Sequence, residues 1–176
     1  MKYTSIVVGI VITLGLIVGA FFYLPEKRGG DDENRTAGAV RDVPDGWHEY
    51  RSERYIFSLL YPAGTIAREF DEGDGAKTFI FENKDEKMGF QIFVVPYGEE
   101  KISDKRFLLD VPSGIKQNPS TFYLDGVLAT SFYSKSVKLG ETWEVWFVHK
   151  GFLYEVTALR EQESWLSPII KTWLFL

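Results

Sequence analysis

Two histidines, His48 and His149, are the only imidazoles available as general bases, and no cysteine is present to serve as a thiol nucleophile or metal ligand. Acyl transfer needs a nucleophile, a base and an oxyanion hole brought together. Neither histidine adjoins a Gly-x-Ser-x-Gly elbow. The nearest serine with a neighbouring glycine, Ser113 in Val111-Pro112-Ser113-Gly114, reads as turn chemistry. Asp71-Glu72-Gly73-Asp74-Gly75 gathers three carboxylates, Asp71, Glu72 and Asp74, that a hard cation could use, since calcium takes about six to eight oxygens. The stretch lacks the spacing of an EF-hand loop, and it reads first as a solvated turn between two strands. His48 beside Glu49 would join a zinc site only if His149 folded next to it. No glycine-rich loop precedes a helix in a way that would cradle phosphate, so no cofactor is expected.

The elements that would position these residues read mostly as strands. Trp47 to Arg51 and Ile56 to Tyr61 are aromatic and β-branched runs, the second ended by Pro62-Ala63-Gly64. Lys77 to Glu82 alternates, with Phe79 and Phe81 on one face, and Phe90 to Val95 returns after a polar loop to make a hairpin. Asp125-Gly126 suits the positive backbone angles of a type I′ turn, and a two-residue loop there pairs Leu124 with Val127 and Phe122 with Ala129. A second hairpin around Lys150-Gly151 pairs His149 with Phe152, Phe147 with Tyr154, Val145 with Val156 and Trp143 with Ala158, an apolar face expected to meet the core. The opposite face, with Glu144, Trp146, Glu155 and Thr157, is expected to be half exposed.

Two helices complete the reading. One runs from Ser103, its N-cap, to Asp110. The other starts at Ser164 and carries Trp165, Ile169 and Trp173 at helical spacing; Pro168 fits there only in a first turn capped by Ser164 or Ser167. The expected architecture is α+β, one antiparallel sheet flanked by helices, over residues 47–176.

A separate element precedes that domain. The 21 residues from Thr4 to Leu24 carry no charge, and at the helical rise they cover about 30 Å, the thickness of a bilayer's hydrocarbon core. Residues 1–3 form a short tail, 4–24 read as a single-pass transmembrane anchor contacting the lipid bilayer, and 25–46, rich in Gly, Asp and Pro, read as a flexible polar linker. Lys27, Arg28, Arg35 and Arg41 outnumber Lys2, which by strict counting would keep the domain in the cytoplasm. Glu26 and Asp31-Asp32-Glu33 dilute that basic patch, and a very short tail before a long apolar run is the layout of a signal anchor, so an extracytoplasmic domain is expected. Val18-Gly19-Ala20 offers a cleavage site, but the run continues through Leu24 and favours an uncleaved anchor.

The net charge of −5, with basic and acidic residues interleaved as in Lys84-Asp85-Glu86-Lys87, excludes the clustered cations that bind nucleic acid. With 5 Trp, 9 Tyr and 14 Phe, most aromatics must be core, while alternation leaves Trp146 and Tyr97 outward as interaction candidates.

Tyr55-Ile56-Phe57-Ser58-Leu59-Leu60-Tyr61-Pro62 resembles the aromatic strand ending in Tyr-Pro that opens PsbP-like domains, the fold of the extrinsic PsbP subunit of photosystem II. Tyr154-Glu155-Val156, then Trp165 and Ile169-Ile170-Lys171-Thr172-Trp173-Leu174-Phe175, is similar to that family's last strand, final helix and terminal Ser/Thr-aromatic-x-aromatic tail. The chain departs from the pattern at Ala63-Gly64-Thr65, where the family often places Trp. The resemblance covers residues 47–176 and implies a non-catalytic domain that binds or scaffolds another envelope protein. A tethered cell-surface hydrolase and a cation or small-ligand module using the Asp71 to Asp74 loop are the alternatives from other classes.

Overall fold

The computed structural model of the protein describes residues 41–176. The expected anchor and most of the expected linker lie outside the described residues, and no described helix is long and apolar enough to cross a membrane. Pro44 and Gly46 are part of the fold: their carbonyls accept from Trp47 N–H and Ala63 N–H at 3.1 and 2.8 Å.

Ten strands and two α-helices follow. Strands β1 (Trp47–Ser52) and β2 (Phe57–Pro62) form a hairpin, and β10 (Leu174–Phe175) pairs with the free side of β2 to complete a three-stranded antiparallel sheet. The other strands are β3 (Ile66–Gly73), β4 (Ala76–Asn83), β5 (Met88–Pro96), β6 (Gln117–Leu124), β7 (Val127–Ser136), β8 (Gly140–His149) and β9 (Phe152–Leu159). They make a seven-stranded sheet in the order β3-β4-β5-β9-β8-β7-β6. Two sheets therefore replace the single one expected. Pro62 and Gly64, the latter at φ 84°, end β2 and let the chain leave for a new layer at β3, and β10 returns from far along the chain to give β2 its second neighbour.

The hairpin registers agree with the turn chemistry. Leu124 faces Val127 and Phe122 faces Ala129 across Asp125-Gly126, whose φ values of 43° and 80° are those a type I′ turn needs. His149 faces Phe152, and Phe147, Val145 and Trp143 face Tyr154, Val156 and Ala158 as expected. A third turn of the same kind is Asp74-Gly75, at φ 48° and 79°, which joins β3 to β4 within the acidic stretch.

The main core lies between the inner face of the large sheet and a layer made by the small sheet and helix α2 (Glu163–Ile170). Phe79, Phe81, Ile92, Val145, Phe147, Tyr154 and Val156 come from the large sheet, and Phe57, Leu59, Leu166, Ile169 and Trp173 meet them. Trp173 stacks on Phe57 with centroids 4.6 Å apart and meets Phe147 edge-on at 5.0 Å.

Helix α2 differs from its expectation. It is preceded by a 3₁₀ turn over Arg160–Gln162, begins at Glu163 without a side-chain cap, and holds Pro168 in its interior rather than its first turn. It ends at Ile170, so Trp173 is not on the helix. Thr172 secures the exit: its hydroxyl donates to Ile169 O at 2.6 Å and accepts Leu60 N–H at 2.8 Å.

Candidate functional site beneath the crossing segment

After β5 the chain must travel from the middle of the large sheet to its far edge, because β9, β8 and β7 lie between β5 and β6. It crosses the outer face, and the crossing segment makes a third layer. Tyr97 starts it: Tyr97 N–H donates to Gly151 O at 2.7 Å, and its hydroxyl accepts Ser103 N–H at 3.0 Å and donates to Lys101 O at 3.1 Å. Tyr97 is thus an internal brace and only partly exposed, rather than a free outward aromatic. Ser103 caps helix α1 (Asp104–Asp110) by accepting Arg106 N–H at 3.4 Å, as its position in the sequence implied.

Helix α1 lays Phe107 against Phe132 and Trp146, with centroids 5.7 Å apart in both pairs, and Val111 closes this smaller core. Lys116 places its ammonium 5.4 and 5.2 Å from the Phe107 and Phe132 rings. Trp146, expected to face solvent, is only 2% exposed. Glu144 and Glu155, expected on a half-exposed face, are 5% and 4% exposed. The alternation of β8 and β9 holds, but the face opposite the main core is roofed by α1 rather than left to water.

The covered face is chemically unusual because it buries three carboxyl groups with one guanidinium. Glu144 Oε2 accepts from Thr157 Oγ1 at 2.6 Å and from Trp146 Nε1 at 3.3 Å. Arg106 forms an ion pair with Asp110 one turn along α1, and its Nη2 reaches Glu155 Oε1 at 3.5 Å. Asp110 and Glu155 thus meet the same guanidinium, each with its side chain 6% exposed, so two buried acids share one largely buried cation. Burial pushes the Glu155 carboxyl well above the usual range, helped by the Asp110 charge and hydrogen bond and by Glu144, and opposed by Arg106. Burial likewise raises Asp110 against the pull of Arg106, and raises Glu144 against hydrogen bonds from Thr157, Thr142 and Trp146. Such a cluster retains protons that free carboxyls would release. Nothing in the sequence marked it except Arg106 and Asp110 at i,i+4 and the Phe107/Val111 pair beside them.

The other residues singled out in the sequence lie elsewhere. His48 is exposed on β1, 5.7 Å from the Tyr61 ring, while His149 ends β8 in the other sheet and packs 4.0 Å from Phe175. Burial and Lys150 lower the His149 pKa, and its Nε2 is buried without a hydrogen-bond partner. Ser113 is exposed in the turn after α1, where its hydroxyl accepts Ile115 N–H at 3.4 Å. Asp71 Oδ1 accepts Gly73 N–H at 2.8 Å, Glu72 accepts the Thr78 hydroxyl at 2.7 Å, and Asp74 sits at the tip of its turn. No group of three or more His, Asp or Glu side chains is arranged to hold a metal ion among the described residues.

The roofed face also carries apolar side chains that remain in water. Leu108 and Leu109 on α1 are 55% and 60% exposed, and the cross-strand pair Tyr123 and Leu128 is 73% and 54% exposed. Leu128 lies on the same side of β7 as Phe132, four residues on, so all four project from the face that α1 occupies.

A three-stranded and a seven-stranded antiparallel sheet with few helices define a PsbP-like fold. Among solved structures the chain is similar to the solution structure of cyanobacterial PsbP (CyanoP) from Synechocystis sp. PCC 6803, with a TM-score of 0.53 and 14% identity over 80% of this chain and 98% of that one. At that identity the likeness concerns the fold. No family model and no curated protein matches the chain.

Proposed function

We propose that the chain is a single-pass membrane protein, anchored by residues 4–24, that presents a non-catalytic PsbP-like domain outside the cytoplasm to bind another protein of the envelope. The observation that carries this reading is the exposed apolar set of Leu108, Leu109, Tyr123 and Leu128 on one face. Large apolar side chains that share a face and stay in water are characteristic of surfaces that another protein covers. Tyr123 adds an aromatic anchor of the kind that dominates interface energetics. Trp146, at 2% exposure, is covered inside the domain, while the partly exposed Tyr97 joins these residues as a contact candidate.

The test is a pull-down of tagged full-length protein from detergent-solubilised native membranes, beside a Leu109→Glu/Leu128→Glu variant and residues 1–46 alone. A partner that co-purifies with the full chain, and is lost in the variant while its circular dichroism is unchanged, is the expected outcome. The reading fails if residues 1–46 alone retrieve the same proteins, or if the variant retrieves them undiminished.

A further inference from the structure

The crossing segment is held on the sheet by few contacts, and the one between buried charges depends on a proton. Helix α1 has seven residues and none of them is fully buried, so it has no stability apart from its docking. Its ends are pinned, at Tyr97 by Gly151 O and at Gln117 by pairing with Tyr133. Between them the hold consists of Ile102, Phe107 and Val111 on Phe132 and Trp146, the Lys116 contacts, and the Arg106–Asp110–Glu155 cluster.

We propose that residues 98–116 are a proton-held latch: a proton on one of the two buried carboxyls that Arg106 bridges, Asp110 and Glu155, keeps α1 docked on β7–β9, and its loss to solvent releases the segment from Trp146 and Phe132. The charge count gives the reason. With the proton in place, Arg106 faces one carboxylate and one neutral carboxyl. Without it, two buried carboxylates share one guanidinium, and one of them is left uncompensated at a cost burial makes large.

The surroundings offer no relief. Helix α1 contributes only Arg106 and Asp110 to the cluster, since Asp104 and Lys105 are exposed. Strand β8 contributes Glu144, a further acid. Strand β5 pairs uncharged Phe93 with Glu155. From the turn that follows α1, Lys116 lies over the Phe107 and Phe132 rings.

Carboxyls held above their ordinary range bind protons in the docked state that the opened state releases. Docking is therefore fully supported below the ordinary carboxylate range and is lost as the pH rises through the raised values. The opening constant grows by up to about tenfold per pH unit for each proton released. The latch is closed in acid and opens toward neutral or alkaline pH.

The absence of native cysteine makes the test direct. Val111→Cys in the full chain reports opening, because Val111, on the segment itself at the end of α1, is 8% exposed while the segment is docked. Val137→Cys, at a fully exposed site, corrects for thiol chemistry, and Ala158→Cys, at 3% exposure, reports global unfolding. Maleimide labelling rates are compared from pH 5 to pH 9. The Val111/Val137 ratio should rise with pH, by up to about tenfold per unit, with Ala158→Cys protected throughout. Adding Glu155→Gln, which keeps the size of the side chain but carries no charge, should flatten the rise. If circular dichroism shows that variant unfolded, Asp110→Asn must flatten it instead. A ratio that stays flat in the parent, an equal rise in the charge-neutral variant, or parallel labelling of Ala158→Cys overturns the proposal.

Discussion

Thr172 joins three parts of the domain through one hydroxyl, and replacing it with valine isolates that role. The pairing of β10 with β2 reaches only Ser58, so the next N–H on that side of β2, that of Leu60, takes Thr172 Oγ1 as its acceptor at 2.8 Å. Thr172→Val keeps the shape and removes the acceptor. Ile169 O still accepts Thr172 N–H at 3.0 Å, so its carbonyl stays satisfied. Leu60 is 5% exposed, and its orphaned N–H costs about 1–3 kcal/mol. The added methyl, half-buried, returns less than about 0.8 kcal/mol. The net loss is about 1–2 kcal/mol, which at a urea m-value of about 2 kcal/mol/M lowers the midpoint by about 0.5–1 M. Urea titration of the full chain followed by circular dichroism measures it, with Thr172→Ser expected within about 0.5 kcal/mol of the parent. Parent-like stability of Thr172→Val would refute the assignment, and a serine variant as weak as valine would place the effect in the methyl instead.

Three further perturbations test other parts of the structure. His149→Phe should be neutral to stabilising at pH 7, because it removes a buried nitrogen that lacks a partner beside Phe175. Since the His149 pKa lies below its ordinary value, its contribution is present above that value and lost as the pH falls through the lowered one; thermal melts from pH 7 to pH 5 should show a smaller acid loss in the variant. Gly126→Ala should cost about 1–2 kcal/mol by thermal melting through backbone strain alone, since φ is 80° and nothing lies within 4 Å of the added Cβ. Phe107→Ala should cost about 2 kcal/mol and raise tryptic cleavage at Lys105 and Arg106 while the strands of the large sheet stay resistant.

The hairpins were legible because two independent signals coincide in them: turn residues that accept positive φ, and alternation that puts apolar groups on one face. Asp74-Gly75 carries the same dipeptide as Asp125-Gly126, yet its neighbours Glu69, Asp71 and Glu72 are edge-strand acids, and the lone Phe70 among them makes no apolar alternation to flag the strand they belong to. Alternation also cannot tell whether a sheet face is roofed. Glu144 and Glu155 looked solvated because carboxylates usually are, and the roof over them is set by topology: the order of β5, β9, β8, β7 and β6 forces the crossing. That order depends on pairings across long sequence separations, such as β5 with β9, which local pattern does not encode. The same gap hid the second sheet, since β10 is two residues long and is recognisable only by its partner, β2.

Trp173 sits at the centre of the main core, stacked on Phe57, and Leu60 relies on Thr172. The opening hairpin of the domain is thus completed by residues synthesised more than a hundred positions later. During translation β1 and β2 emerge early, with Phe57 and Leu59 unable to reach their final neighbours and one side of β2 unpaired. Such a chain folds late, after its distal residues are free to return, and until then it presents an apolar hairpin open to association. How long that hairpin stays uncovered is set by where Trp173 falls in the sequence.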